Sequence, residues 1–306
     1  MARAAKDLTP KDPEFITSIQ RGLQVLGVFD RDHPELTLNE VARRSKLSPA
    51  TARRFLLTFK TLGYIGVGGR NYFLRPKILD LAHAYLNTMR VDEALQPFLR
   101  EIVQRTGDSS SVTVMDGTDI FYIANASVRR LVRLGAGVGS RFPAYATSMG
   151  RVLLAYKSPA CVDYYFQAEN LRKFTEFTET DQERLKQILI EVRANGYAVV
   201  QDELEVGLVS VAVPIWGPAG TVIAAMNCAS VARRTDSREM LRTRLGLLKE
   251  FSQQVSVALA RFPSFAHSIG VVDTAGQAES SDSRLNSKKP SKRRGGEAGS
   301  IVNVGS

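Results

Sequence analysis

The chain has 306 residues, 44% of them hydrophobic, a length that allows roughly two domains. Its two cysteines, Cys161 and Cys228, lie far apart and its three histidines, His33, His83 and His267, are scattered. That pattern argues against a disulfide framework, a zinc or other metal site, and a histidine-based catalytic cluster. The formal charge of +10 is uneven: residues 1–90 hold 15 Lys/Arg against 8 Asp/Glu, while residues 91–262 hold 20 against 19. A phosphate-binding surface therefore belongs to the first part of the chain.

The first segment, MARAAKDLTPKDPE, is polar and carries two prolines, which predicts a flexible start over residues 1–14. Ile16, Ile19, Leu23 and Leu26 then give a first helix its apolar stripe, with Arg21 on the other side. Thr37 and Glu40 form a T-x-x-E capping box that opens a second helix. Ser48 and Pro49 suit the cap and first position of a third, whose Ala52, Phe55, Leu56 and Phe59 repeat at i, i+3, i+4 and i+7 and pack inward. Ala50, Thr51, Arg53 and Arg54 then fall beside or opposite the buried face, while Leu57 is a misfit near the exposed side. A glycine-bounded hairpin follows, with Gly66, Gly68 and Gly69 between Tyr64-Ile65 and Tyr72-Phe73-Leu74 and with Arg70 and Asn71 at its tip. Two short helices and a hairpin in this order form a winged helix-turn-helix, with the helix-turn-helix at about 37–57. An exposed helix with small residues at its start and adjacent guanidinium groups suits a DNA major groove.

Pro76 starts another helix, PKILDLAHAYLNTM, with apolar residues on more than one side. Such a helix needs cover all round, and a second copy of itself is the natural cover. From about residue 108 short β-branched runs, SSSVTVMDG, TDIFYIAN and RRLVRLG, predict an antiparallel meander. Helices are expected at Ser148–Tyr156, near Pro159–Ala168, and from a Thr180–Glu183 capping box to Asn195-Gly196. Three further strands read as YAVVQ, GLVSVAVPIW and TVIAAMNCAS, and Asp236 and Glu239 cap one long closing helix. The tail from Pro263 is rich in Ser, Gly and Lys/Arg, a composition read as disordered, with the basic run KKPSKRR inside it.

Several long segments occur in the order of a known pattern: SIQRGLQVL, the helix pair ending in LGYI, RFPAYATSMGRVLLA and NGYAVVQDELEVGLVSVAVP. On these the chain resembles the IclR family of bacterial transcription regulators over residues 15–262. PATARRFLLTFKTLGY, LRPKILDLAHAYL and AYATSMGRVLLA look most like its branch containing the PobR, PcaR and PcaU regulators, although that branch often has Gly where Ala82 stands. The resemblance implies an α+β chain. Its parts are a flexible 1–14, a winged helix-turn-helix at 15–75, a linker or dimerisation helix at 76–90, a GAF/PAS-like effector domain at 91–262, and a disordered basic tail at 263–306. It also implies a homodimer or dimer of dimers on double-stranded operator DNA, controlled by a small carboxylate such as 4-hydroxybenzoate, protocatechuate or β-ketoadipate. No cofactor is implied. No apolar run approaches the ~20 residues of a membrane helix and no signal-peptide core is present, so a cytoplasmic location is expected.

Base reading is assigned to Ala50, Thr51, Arg53 and Arg54, and backbone positioning to Arg21, Thr37, Ser48, Arg70 and Asn71. Carried over from the family, the effector pocket is Arg141, Tyr145, Thr147, Ser148, Met149, Ser210, Met226, Asn227 and Ala229. Arg133 and Arg141 are its candidate cationic anchors, and Ser148 opens a helix whose N–H groups favour an anion. The competing class is an enzyme turning over a small aromatic acid in a GAF-like cavity. Against it, the chain has no G-x-S-x-G and no P-loop, and residues 91–262 contain no histidine. The glycines of Gly135–Gly139 also lack the spacing and helix context of a dinucleotide site.

Overall fold

A computed structural model describes residues 10–30, 32–127 and 136–270. The predicted strand RRLVRLG, with Arg133, and the tail beyond Gly270 lie outside the described residues. Two compact units divide the chain, residues 1–88 and 89–306.

The first unit runs α1 (Thr17–Leu26), β1 (Glu35–Thr37), α2 (Leu38–Arg44), α3 (Pro49–Leu62), β2 (Ile65–Gly68), β3 (Asn71–Leu74) and α4 (Leu79–Met89), the last crossing into the second unit. The Thr37–Glu40 box is present in full: the Thr37 N–H and hydroxyl both donate to the Glu40 carboxylate, at 2.8 and 2.7 Å, and Thr37 Oγ1 accepts from the Glu40 N–H. Val25, Leu36, Val41, Ala52, Leu56 and Ile65 close a small core. The wing is three-stranded, order β1-β3-β2, because Leu36 pairs with Tyr72 and adds an edge that the sequence pattern did not disclose. Its turn is Gly69–Arg70; Gly69 takes φ +60°, as the first position of a type II′ hairpin demands. Gly66 serves differently from the expected φ freedom: a Cβ there would meet the Phe73 ring at 2.3 Å. Asn71 is not at the tip but opens β3, and its amide donates to Glu35 on β1.

The α1 stripe does not face this core. Ile16, Ile19 and Leu23 are about 60% exposed, whereas Gly22 and Val25 pack inward. Leu79 and Leu81 of α4 are equally exposed, and no residue of α4 is buried.

The second unit follows as α5 (Val91–Ala94), α6 (Gln96–Thr106), β4 (Ser109–Asp116), β5 (Asp119–Ala126), β6 (Arg141–Pro143), α7 (Ser148–Ala155), α8 (Pro159–Ala168), α9 (Gln182–Asn195), β7 (Ala198–Gln201), β8 (Leu208–Trp216), β9 (Val222–Val231), α10 (Ser237–Thr243), α11 (Leu245–Ala258) and α12 (Pro263–Gly270). Its six strands form one antiparallel sheet in the order β6-β5-β4-β9-β8-β7. Period-2 alternation sends Ala212, Ala225 and Tyr122 toward the core built on α7, while Val211, Val213 and Cys228 are buried on the opposite side. Burial pushes the Cys228 thiol up to about 12.

Three expectations shift. Asp181, not Thr180, caps α9, accepting from the Arg184 N–H at 2.7 Å, because the Glu179 carboxylate already holds the Thr180 and Asp181 amides. The single closing helix breaks at Arg244, whose guanidinium reaches back to the fully buried Asp108 at 3.0 Å. Residues 263–270, assigned to the disordered tail, form α12. Phe265, Ala266 and Ile269 recur at helical spacing and are buried, a local signal diluted by the composition of the longer segment.

Candidate nucleic-acid interface and effector cavity

In the first unit the chemistry faces outward. Ser48 caps α3, accepting from the Thr51 N–H at 3.2 Å and pairing with the Thr51 hydroxyl at 2.9 Å, so these two polar groups serve the helix start. Thr37 is likewise spent on its capping box. Ala50, Arg53 and Arg54 are exposed along α3, as are Arg21 on α1 and Arg70 in the wing turn. Among the described residues none of these four arginines makes an ion pair, whereas Arg44 is locked to Asp30 at 2.7 Å and to the Val28 carbonyl. Three unpaired guanidinium groups on α3 and the wing, in a unit with surplus positive charge, are available to phosphate or base edges.

In the second unit the chemistry faces inward. A cavity of about 70 Å³ lies between α7 and the sheet, several times the roughly 10–15 Å³ that one water needs. Strand register builds its polar floor. Ser109 pairs across to Ala229 and Ala229 to Ser210; one row over, Asn125 pairs with Ser111, Ser111 with Asn227, and Asn227 with Ala212. Residues opposite one another share a face, so Ser109, Ser111, Asn125, Ser210, Asn227 and Ala229 all line the cavity.

A network fixes this floor. Asn227 accepts from the Ser111 N–H at 2.9 Å and donates to Ser210 Oγ at 3.1 Å; Ser210 and Ser148 hydroxyls pair at 2.8 Å; Asn125 donates to Ser111 Oγ at 2.8 Å. One hydroxyl is left over. Ser109 Oγ is buried and has no partner among the described residues. Above the floor, α7 points its N-terminus into the cavity. Thr147 caps it through the Gly150 N–H, and the Ser148 and Met149 N–H groups have no described acceptor. Gly150 lets the helix come this close: a Cβ there would lie 2.2 Å from the Ala144 carbonyl oxygen. Apolar walls come from Phe142, Ala146, Met149, Val200, Leu204 and Leu208. Tyr122 also lines the cavity, and burial pushes its phenol well above the usual range, so it remains a proton donor.

A buried ion pair borders the cavity. Arg151 donates to the Glu203 carboxylate at 2.6 Å and to the Tyr145 carbonyl at 2.8 Å, and Glu203 also accepts the Glu179 N–H. Glu203 lines the cavity, yet its charge is met by Arg151.

Of the expected pocket residues, Thr147, Ser148, Met149, Ser210, Asn227 and Ala229 are together at this cavity. Arg141 is not. It pairs with Asp116 and lies over the Phe121 ring at 5.2 Å, because alternation along β6 turns Phe142 inward and Arg141 outward. Met226 likewise lies on the face of β9 opposite Asn227. Tyr145 is buried behind the cavity, its hydroxyl held by both backbone groups of Arg172. No lysine or arginine lines the cavity among the described residues. Ser109, Ser111, Tyr122, Asn125 and Glu203 were missed; the alternation of polar residues in SSSVTV was the available signal, but it names a face only once the strand neighbours are known.

An arginine-bearing winged helix followed by an α/β unit with a polar-floored cavity defines a DNA-binding regulator that takes a small-molecule effector. Comparison with known proteins gives the same answer. Residues 83–257 match the bacterial transcriptional regulator IclR C-terminal model and residues 18–67 the IclR helix-turn-helix domain. The Pca regulon regulatory protein of Pseudomonas putida is 38% identical over 80% of this chain and 84% of its own length. A solved structure from Rhodococcus sp. RHA1, assigned as a transcriptional regulator, is 40% identical with a TM-score of 0.70, over 81% of this chain and 99% of that one. The inducer-binding domain of the PobR transcription factor from Acinetobacter, a double mutant in complex with 3-hydroxybenzoic acid, is 28% identical with a TM-score of 0.52, over 54% of this chain and 96% of that one. The chain belongs to the IclR family of DNA-binding transcription regulators. No described helix is long and apolar enough to cross a membrane.

Proposed function

We propose that this regulator senses a small aromatic carboxylate, of the 4-hydroxybenzoate or protocatechuate kind or the related β-ketoadipate, and thereby controls genes of aromatic-acid breakdown in the cytoplasm. The observation that carries the reading is the buried, unpartnered Ser109 hydroxyl in the cavity beneath the open N-terminal N–H groups of α7. A buried hydroxyl without a partner costs about 1–3 kcal/mol, a cost that a carboxylate oxygen relieves. The same carboxylate accepts from the Ser148 and Met149 N–H groups, where the helix end favours negative charge. Tyr122 stands by as a further donor, and the apolar walls suit a ring. Relatives named for the Pca regulon and for PobR point to the same chemistry.

The regulator acts as a homodimer or dimer of dimers. The exposed stripe Ile16-Ile19-Leu23 of α1, and Leu79 and Leu81 on different sides of α4, need cover, and a second copy supplies it. Two copies of α3 then meet half-sites on the order of 34 Å apart, or a multiple of that.

Calorimetric titration of the full chain with 4-hydroxybenzoate, protocatechuate and β-ketoadipate tests the reading. One of them binds without forming product, and Ser109→Ala weakens that binding about three- to tenfold while leaving the unliganded protein as stable or more so. Failure of all three to bind, or equal binding by the variant, overturns it, and product formation selects the enzyme alternative.

A further inference from the structure

Two large apolar side chains of α3 are left out of the core, Leu62 at the last position of the helix and Leu57. Leu57 is 38% exposed, and it sits well inside the helix rather than at its end. At about 100° per residue, Ala50, Arg54, Leu57 and Thr61 fall within roughly 60° of arc, opposite the buried Ala52 and Leu56. This is the outermost line of the helix. The two threonines that follow Leu57 are bonded within the helix: the Thr58 hydroxyl donates to the Arg54 carbonyl at 2.9 Å and the Thr61 hydroxyl to the Leu57 carbonyl at 3.0 Å. Arg53 and Arg54, beside Leu57, have no ion pair among the described residues and are free to engage a duplex.

We propose that Leu57 is a specificity-determining residue that reads the 5-methyl group of a thymine. In the major groove that methyl is the one apolar feature of a base edge, and an aliphatic side chain recognises it by contact. Leu57 lies roughly 4.5 Å further along the helix axis than Arg54, about one base-pair step. The thymine it reads is therefore adjacent or nearly adjacent to the pair that Arg54 contacts. Buried between helix and methyl, Leu57 loses its exposure on binding, and discrimination comes from one methyl-sized group. The proposal rests on α3 being the element that enters the groove.

The test uses a duplex selected by the full-length protein from a random library. Each thymine is replaced in turn by deoxyuridine, which removes only the methyl, and affinity is measured by fluorescence anisotropy at fixed salt. The wild type loses about fourfold at one position, the worth of one methyl-sized group. Leu57→Ala binds the thymine site more weakly and is indifferent to that replacement, while its thermal unfolding is unchanged. Arg54→Ala is measured in parallel. A normal loss there, with Leu57→Ala keeping the wild-type response to deoxyuridine, overturns the Leu57 proposal alone; no loss with Arg54→Ala removes α3 from the groove and the proposal with it.

Discussion

The two units carry their chemistry in opposite directions. In the winged helix, Arg53, Arg54 and Arg70 point into solvent and make no ion pairs among the described residues. In the effector unit, Ser111, Ser148, Ser210 and Asn227 point into a cavity and bond to one another. The difference follows from the size of the ligand. A duplex is too large to enclose, so the protein presents donors on a convex helix and lets water hold them until DNA arrives. A small acid can be taken inside, so its donors are desolvated in advance and most of them satisfy each other in the meantime, with the Ser109 hydroxyl left over. The first arrangement tolerates substitution without loss of fold; the second does so only at the unpaired Ser109.

The largest expected effect sits where the inward design is most charged. Arg151 and Glu203 side chains are only 4% and 12% exposed. Glu203→Gln keeps the shape but leaves a buried guanidinium uncompensated, a loss of about 3–5 kcal/mol of stability. Urea unfolding of the effector unit reads this directly. A loss below about 1 kcal/mol would mean that water reaches the pair, and the contrast between a dry interior site and a wet exterior one would weaken.

Legibility in the sequence followed the same division. On α3 the chain alone fixes which side chains face out, because a helix is a local structure with a 3.6 period; Arg53 and Arg54 are found where the wheel places them. The α1 stripe shows the limit: periodicity found Ile16, Ile19 and Leu23 on one face but could not say that the chain leaves this face open. Alternation was readable along β6 and β9, yet on β6 the outward Arg141 was assigned to the pocket and on β9 both parities were. Adjacent residues such as Met226 and Asn227 cannot share a face, so one of the two had to be wrong. Ser109 and Glu203 were out of reach for a different reason. Their role depends on non-local register, Ser109 opposite Ala229, and on Arg151 lying 52 positions from Glu203.

The outward design is tested by removing a side chain that supports nothing. Arg54→Ala lowers affinity for the selected operator by about 1–3 kcal/mol if the guanidinium holds a guanine edge. It leaves effector affinity and thermal unfolding unchanged, because no described residue is paired with it. A gel-shift titration at fixed salt measures the first and calorimetry the others. Unchanged operator affinity would place base reading elsewhere on the unit.

The smallest effect separates folding from recognition at a single residue. Thr37 was assigned to backbone positioning, yet its N–H and hydroxyl are both committed to Glu40. Loss of that cap in Thr37→Ala costs about 1 kcal/mol, a shift of roughly 4–8 °C in the unfolding of so small a unit. Thr37→Ser keeps the capping oxygen and stays near wild type. If capping is the whole role, operator affinity measured well below the transition is the same for all three proteins. If the alanine variant binds DNA several-fold more weakly while fully folded, Thr37 also touches a phosphate, and the boundary between residues that build the winged helix and residues that use it moves inward by one side chain.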